Sequence, residues 1–164
     1  VLPNDITFYY YPSDQVMESA HLRLTYLGYY MEDWTGSKNA AFAIDRGLQV
    51  RENEPPEMIG DLWGFSCLDE DFSIVNQYMK YIKLGFGRVN DQVCEAITSG
   101  RMTREEGIEL LKMYDGNCDI SYIKRFCAYL GISIDEFQKA VEKYRNHGIW
   151  KRNAQGVFEV EYEV

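Results

Sequence analysis

The run YMKYIKLGFGR, Tyr78 to Arg88, gathers Lys80, Lys83 and Arg88 around a Gly-x-Gly. On a helix, Asn76, Lys80 and Lys83 fall at i, i+4 and i+7 and share one polar stripe. Gly85 and Gly87 permit close backbone approach to a ligand, and Arg88 then opens the next segment. A helix start attracts anions through its free amides and dipole, while a guanidinium adds a two-pronged donor for carboxylate or phosphate. The chemistry such a group can perform is holding one small anion. The competing reading is a solvated helix face. Arg101 and Arg104 either extend this basic island or are surface charge around a helix cap.

Other patterns carry less chemistry. The GFG run lacks the third glycine of a dinucleotide fingerprint, and no G-x-x-x-x-G-K-[ST] or G-x-S-x-G occurs in the chain. TGSKN at 35–39 reads as a helix start. Trp34 and Trp63, in glycine-flanked loops, either stack on a ligand ring or anchor packing. Asp69, Glu70 and Asp71 read as acids favoured at a helix N-terminus. Cys67, Cys94, Cys118 and Cys127 show no C-x-x-C spacing, so free thiols in a reducing compartment are expected. His21 and His147 have no ligand spacing, and no metal site is expected.

The 164 residues carry a net charge of −9 with 46% hydrophobic residues, enough for a real core. Residues 1–70 hold twelve acids against Arg23, Lys38, Arg46 and Arg51. Between Lys80 and Arg104 five bases face only Asp91 and Glu95. An acidic surface argues against nucleic acid and anionic membranes as partners; the local basic island suits a small anionic ligand. No apolar run reaches membrane-spanning length, and a cytoplasmic location is expected. The start at Val1 reads as a point inside a longer protein or a shortened piece of one.

Positioning falls to a mainly helical α+β chain. Residues 1–52 are expected to form a strand–helix–strand segment abutting an α/β nucleotide domain. Its strands are ITFYYY (6–11) and LRLTYLGYYM (22–31), with a short helix from Ser13 or Asp14 between them and a further helix over 33–48. Residues 53–68, rich in Pro, Gly and acids, read as a loop and candidate boundary. Residues 69–148 read as a five-helix lobe. Its first helix turns Phe72, Val75, Met79 and Ile82 inward; TREE at 103–106 and SIDE at 133–136 are capping boxes. Residues 149–164 read as a hairpin, with Phe158, Val160, Tyr162 and Val164 on one face.

Several stretches together resemble the ATP-dependent N-acetyl sugar amidotransferases of bacterial surface-glycan biosynthesis. They are YPSD (11–14), YLGYYMEDW (26–34), LDEDFSIVNQYMKYIKLGFGR (68–88), SGRMTREEGIELLKMYDG (99–116), YLGISIDEF (129–137) and HGIW (147–150). The resemblance implies the C-terminal portion of an enzyme similar to N-type ATP pyrophosphatases. Such enzymes use ATP, with magnesium, to activate the oxygen of an acetamido group. Pyrophosphate leaves, and ammonia then displaces AMP to give an acetamidino group. Implied partners are a glutaminase and a synthase-like subunit supplying ammonia, and an anionic acetamido sugar bound for O-antigen or flagellar glycan. By the same resemblance Lys80, Lys83 and Arg88 match the family's basic motif; Lys83 and Arg88 are expected to be the catalytic pair, holding pyrophosphate or the sugar's anion, with Lys80, Gly85, Gly87, Arg101 and Arg104 expected at the substrate or phosphate. The family's S-G-G-x-D-S loop and N-terminal cysteine pairs are missing from these residues, so no turnover is expected from this chain alone. The alternative is a noncatalytic helical interaction module using Tyr9, Tyr10 and Tyr11 or Tyr29 and Tyr30 as contacts. Basic side chains converging on one concavity favour the enzyme; splayed ones beside an open apolar patch favour the module.

Overall fold

A computed structural model describes residues 9–21, 23–32 and 34–160. The chain divides into two compact units, Val1–Lys38 and Asn39–Val164.

The first unit contains α1 (Asp14–Ser19), a 3-10 turn over Leu27–Tyr30 and the first residues of α2 (Gly36–Ile44). None of its described residues is buried. The strand expected over 22–31 is not formed by the described residues there. Backbone bonds in this stretch are local, Tyr29 N–H to the Tyr26 carbonyl and Met31 N–H to that of Gly28, because an extended segment needs a neighbouring strand to pair its amides and none is present among the described residues. The other expected strand lies partly outside the described residues; Tyr9, Tyr10 and Tyr11 are not in a strand.

The second unit is the five-helix lobe and hairpin. After α3 (Pro56–Ile59) come α4 (Phe72–Leu84), α5 (Arg88–Thr98), α6 (Arg104–Tyr114), α7 (Ile120–Leu130) and α8 (Ile134–Tyr144), then β1 (Trp150–Arg152) and β2 (Phe158–Val160). Both capping boxes form: Thr103 accepts from the Glu106 amide and Ser133 from that of Glu136, and each glutamate accepts the N-cap amide in return. The inward stripe of α4 is Ile74, Val75 and Ile82, with Met79 packed against it. It meets Tyr122 and Cys127 of α7, Phe137 and Val141 of α8, and Ile59. Val75 is 1% exposed, and burying such a side chain contributes about 1.5 kcal/mol. Phe72 meets Phe126 edge-on at 5.3 Å, and Phe126 meets Phe137 at 6.0 Å, so the aromatic stripe of α7 joins α4 to α8.

The hairpin is antiparallel, Trp150 opposite Val160 and Arg152 opposite Phe158. Trp150 fastens it. The buried indole N–H donates to the Ile82 carbonyl at 2.7 Å, and the ring meets Tyr81 edge-on at 4.9 Å. Tyr162 and Val164 lie outside the described residues. Residues 53–68 are irregular apart from α3, and side chains on both flanks bond this stretch into the second unit. No helix among the described residues is long and apolar enough to cross a membrane.

Candidate functional site

The Gly-x-Gly turn does cradle an anion, and that anion is the protein's own Asp115. Gly85 ends α4 in the left-handed region at φ 81, its N–H donating to the Tyr81 carbonyl at 2.8 Å. Gly87 N–H donates to Asp115 Oδ2 at 2.9 Å and Val89 N–H to Oδ1 at 3.1 Å; the Asn90 amide adds a third donor. A Cβ at Gly87 would lie 2.8 Å from Asp115 Oδ1, so glycine is required for the carboxylate's approach. Burial pushes the Asp115 carboxyl above the usual carboxylate range, against the pull of the three amides and Lys80. Lys80 is engaged nearby: its Nζ lies 2.8 Å from Asp91 Oδ2, 3.4 Å from the Gly87 carbonyl and 4.7 Å from the centre of the Phe86 ring. The backbone approach foreseen for a ligand at Gly87 is thus taken by Asp115, 28 residues away.

The remaining cations do not converge on one hollow. Lys83 lines a hollow of about 450 Å³ with Asn76, Lys80 and Tyr144, so the polar stripe read from the sequence does share one surface. No ion pair engages Lys83 among the described residues. Arg101 pairs with Glu95 at 3.1 Å and donates to Ser99 Oγ at 2.8 Å. Arg104 is exposed at the first position of α6. Arg88 lines a separate hollow. The expectation that Lys83 and Arg88 close around a common anion is corrected here: the end of α4 and the start of α5 present them to different hollows.

The Arg88 hollow is lined mainly by polar side chains, and sequence reasoning passed over most of its parts. Its wall is the loop after residue 51, folded around one guanidinium. Arg51 Nη1 donates to Asp71 Oδ1 at 2.7 Å and Glu54 Oε2 at 2.9 Å. Its Nη2 donates to the carbonyls of Cys67 at 2.9 Å and Glu70 at 3.1 Å. Asp71 also pairs with Arg125 of α7 at 2.7 Å, and the Arg51 hydrogen bond is the largest cause holding the Asp71 carboxyl below its ordinary range. A second knot ties the loop to α5. Asp61 Oδ1 accepts from the amides of Trp63 and Gly64, each at 2.9 Å, and from Gln92 Nε2 at 2.7 Å, while Leu62 N–H donates to Gln92 Oε1 at 2.9 Å. Asp61 and Gln92 are both buried. Trp63 stacks on Phe65 at 5.6 Å, whereas Trp34 is exposed.

Within this frame Arg88, Cys67, Asp61, Gln77, Ser66 and Ser73 surround a space of about 20 Å³. Cys67 sits at φ 48, unusual for a residue with a side chain, and its Sγ is 3.6 Å from Arg88 Nη2. That thiol contact is the one interaction Arg88 makes among the described residues; no carboxylate pairs with it. Gln77 Oε1 is buried with no hydrogen-bond partner. No spacing rule could have found this group: Arg51 and Asp71 stand 20 residues apart and Asp61 and Gln92 31.

These residues do not fit a nucleotide triphosphate. The helix start that follows the Gly-x-Gly is filled by Asp115, and the chain has no S-G-G-x-D-S loop. Among the described residues no cluster of His, Cys, Asp and Glu could hold a metal. No curated protein matches the chain. Residues 63–162 match a family described as LPS biosynthesis protein WbpG-like, C-terminal domain, a span that takes in α4 to α8, the hairpin and most of the Arg88 hollow. The chain therefore belongs to the WbpG-like lipopolysaccharide-biosynthesis family, and its helical lobe with the hairpin is that family's C-terminal domain.

Proposed function

We propose that this chain is the C-terminal part of an ATP-dependent amidotransferase that turns a sugar's acetamido group into an acetamidino group for surface glycan. The overall change balances as acetamido sugar, ammonia and ATP giving acetamidino sugar, AMP and pyrophosphate. The acetamido oxygen departs on AMP, and ammonia nitrogen takes its place. ATP and magnesium are held by residues other than these, ammonia comes from a partner glutaminase with its synthase-like subunit, and the work is cytoplasmic. The supporting observation is Arg88: within the family span it is a guanidinium without a carboxylate partner among the described residues, lining a hollow whose wall is tied down twice. A preorganised cation of this kind stabilises charge without rearranging. Arg88 holds an anionic oxygen of the substrate or of the departing phosphates, and Lys83 serves a second anionic group from its own hollow.

Calorimetric titration with inorganic pyrophosphate and with a nucleotide-linked acetamido sugar tests this. Arg88→Ala is expected to weaken one of them by about tenfold or more, the loss of one charge-assisted contact, and Lys83→Ala by less. Wild-type affinity for both compounds in the double variant discards the assignment. A sugar whose acetamido oxygen is still in place after incubation with the full set of partners, ATP and glutamine discards the reaction.

A second reading, a docking module without catalysis, is favoured by the first unit, where Tyr9, Tyr11, Tyr29 and Tyr30 are each more than 80% exposed. Its test is whether the glutaminase partner co-purifies with wild-type chain and not with a Tyr29→Ser, Tyr30→Ser variant.

A further inference from the structure

We propose that the Arg88 hollow seats a hydroxyl group of the ligand. This rests on the reading of Arg88 as a ligand-binding residue and names the chemistry it faces. Two groups on the wall have opposite requirements. Gln77 Oε1 is a buried acceptor with no donor, a state that native proteins seldom leave unrelieved. Arg88 is a donor whose one contact is a thiol sulfur at 3.6 Å, a weak acceptor. The space between the walls is about 20 Å³, room for one group the size of water.

Few chemical groups satisfy all three conditions. A carboxylate or phosphate accepts from Arg88 but gives nothing to Gln77. An ammonium gives to Gln77 but is repelled by Arg88. An aliphatic group leaves both polar walls bare. A hydroxyl donates to the amide oxygen and accepts from the guanidinium in a single atom. It also suits the amide in either orientation, since it can accept from the nitrogen as readily as donate to the oxygen. Arg88 carries more N–H donors than one hydroxyl can use, so an anionic oxygen outside the hollow can share the same fork. A ligand with a hydroxyl beside an anionic group meets the whole description.

The probes are glycolate, a hydroxyl next to a carboxylate, and acetate, which lacks the hydroxyl. Each is titrated into the 164-residue chain while the Gln77 side-chain amide resonance is followed. Glycolate is expected to shift that resonance and to bind about tenfold more tightly than acetate, the worth of one well-made hydrogen bond to a charged group. Gln77→Met removes the bare acceptor at nearly constant volume. It is expected to leave the melting temperature unchanged or higher and to erase the preference for glycolate. Should that variant not fold, Gln77→Asn withdraws the amide by one methylene and should erase the preference as well. Equal affinity for the two probes in the wild type overturns the hydroxyl seat while leaving Arg88 as an anion site. A crystal structure at saturating glycolate with a water still bridging Gln77 and Arg88 overturns the seat in the same way. Binding of neither probe overturns the hydroxyl seat, while the Arg88 assignment stands or falls on the pyrophosphate and sugar titrations.

Discussion

Residues 9–38 and residues 39–160 are both rich in tyrosine and tryptophan, yet among the described residues the second alone buries any of them. In the first, Tyr29 is 88% exposed and Tyr9 86%; in the second, Tyr122 is 2% exposed and Trp150 5%. The difference lies in the reach of the bonds around them. Among the described residues of the first unit the backbone bonds are turns such as Val16 N–H to the Ser13 carbonyl and Tyr29 N–H to that of Tyr26. In the second, single bonds join residues 20, 28 and 68 positions apart: Arg51 to Asp71, Gly87 to Asp115, Trp150 to Ile82. Apolar content by itself does not make a core. It becomes one when distant segments are brought face to face and their polar groups are satisfied on the way.

This contrast can be broken at several points. The strongest blow is Gly116→Ala. Gly116 sits at φ 77, and a Cβ there would collide with the Tyr81 ring. Strain and overlap together should cost about 4 kcal/mol or more, read as loss of cooperative thermal unfolding by circular dichroism. Next is Asp115→Ala, which strips the acceptor from buried amides at the head of α5 and should cost about 2–4 kcal/mol in urea unfolding. Asp115 also sharpens the comparison through pH. Its folded carboxyl is raised by burial, so its contribution is fully present below the ordinary carboxylate value and is lost as pH rises through the folded one. Asp115→Asn should lack that component of the pH–stability profile. A smaller effect, about 2 kcal/mol, is expected for Trp150→Phe, which puts a smaller ring in the buried indole's place and removes the N–H that holds the hairpin to Ile82; the melting temperature reports it. Smallest of all, Tyr29→Ser with Tyr30→Ser should change unfolding free energy by no more than about 0.5 kcal/mol. A loss comparable to that of Trp150→Phe would mean that the first unit does contribute to stability, and the contrast would fail.

The helical lobe is legible in the chain with few errors. The helix that runs from Asp69 into Gly85, the one over Val89 to Thr98, and the helices opened by the two capping boxes all declare themselves by apolar spacing and end residues, as does the alternation that makes the hairpin. The stretch 22–31 alternates enough to suggest a strand, but alternation states only that a strand would have two faces; it does not supply the neighbour. Residues 53–68 have the composition of a linker and behave otherwise, because Arg51 and Asp61 replace a periodic backbone pattern with side-chain knots. The GFGR turn is legible as a place where backbone amides meet negative charge. The source of that charge is not, since Asp115 stands in a YDG run that looks like nothing more than a helix end.

By itself the sequence determined where helices start and stop, which of their faces are apolar, and the family to which the lobe belongs. All of these rest on residues within about four positions of one another, the distance over which a helix turn and its cap are made, or on whole motifs carried intact. Only the tertiary structure decided which carboxylate fills the head of α5, that Lys80 is engaged by Asp91, that Lys83 and Arg88 line different hollows, and that Gln77 and Cys67 stand beside Arg88. Those outcomes depend on contacts between segments tens of residues apart, and charge and hydrogen bonding act through space with no regard to position along the chain.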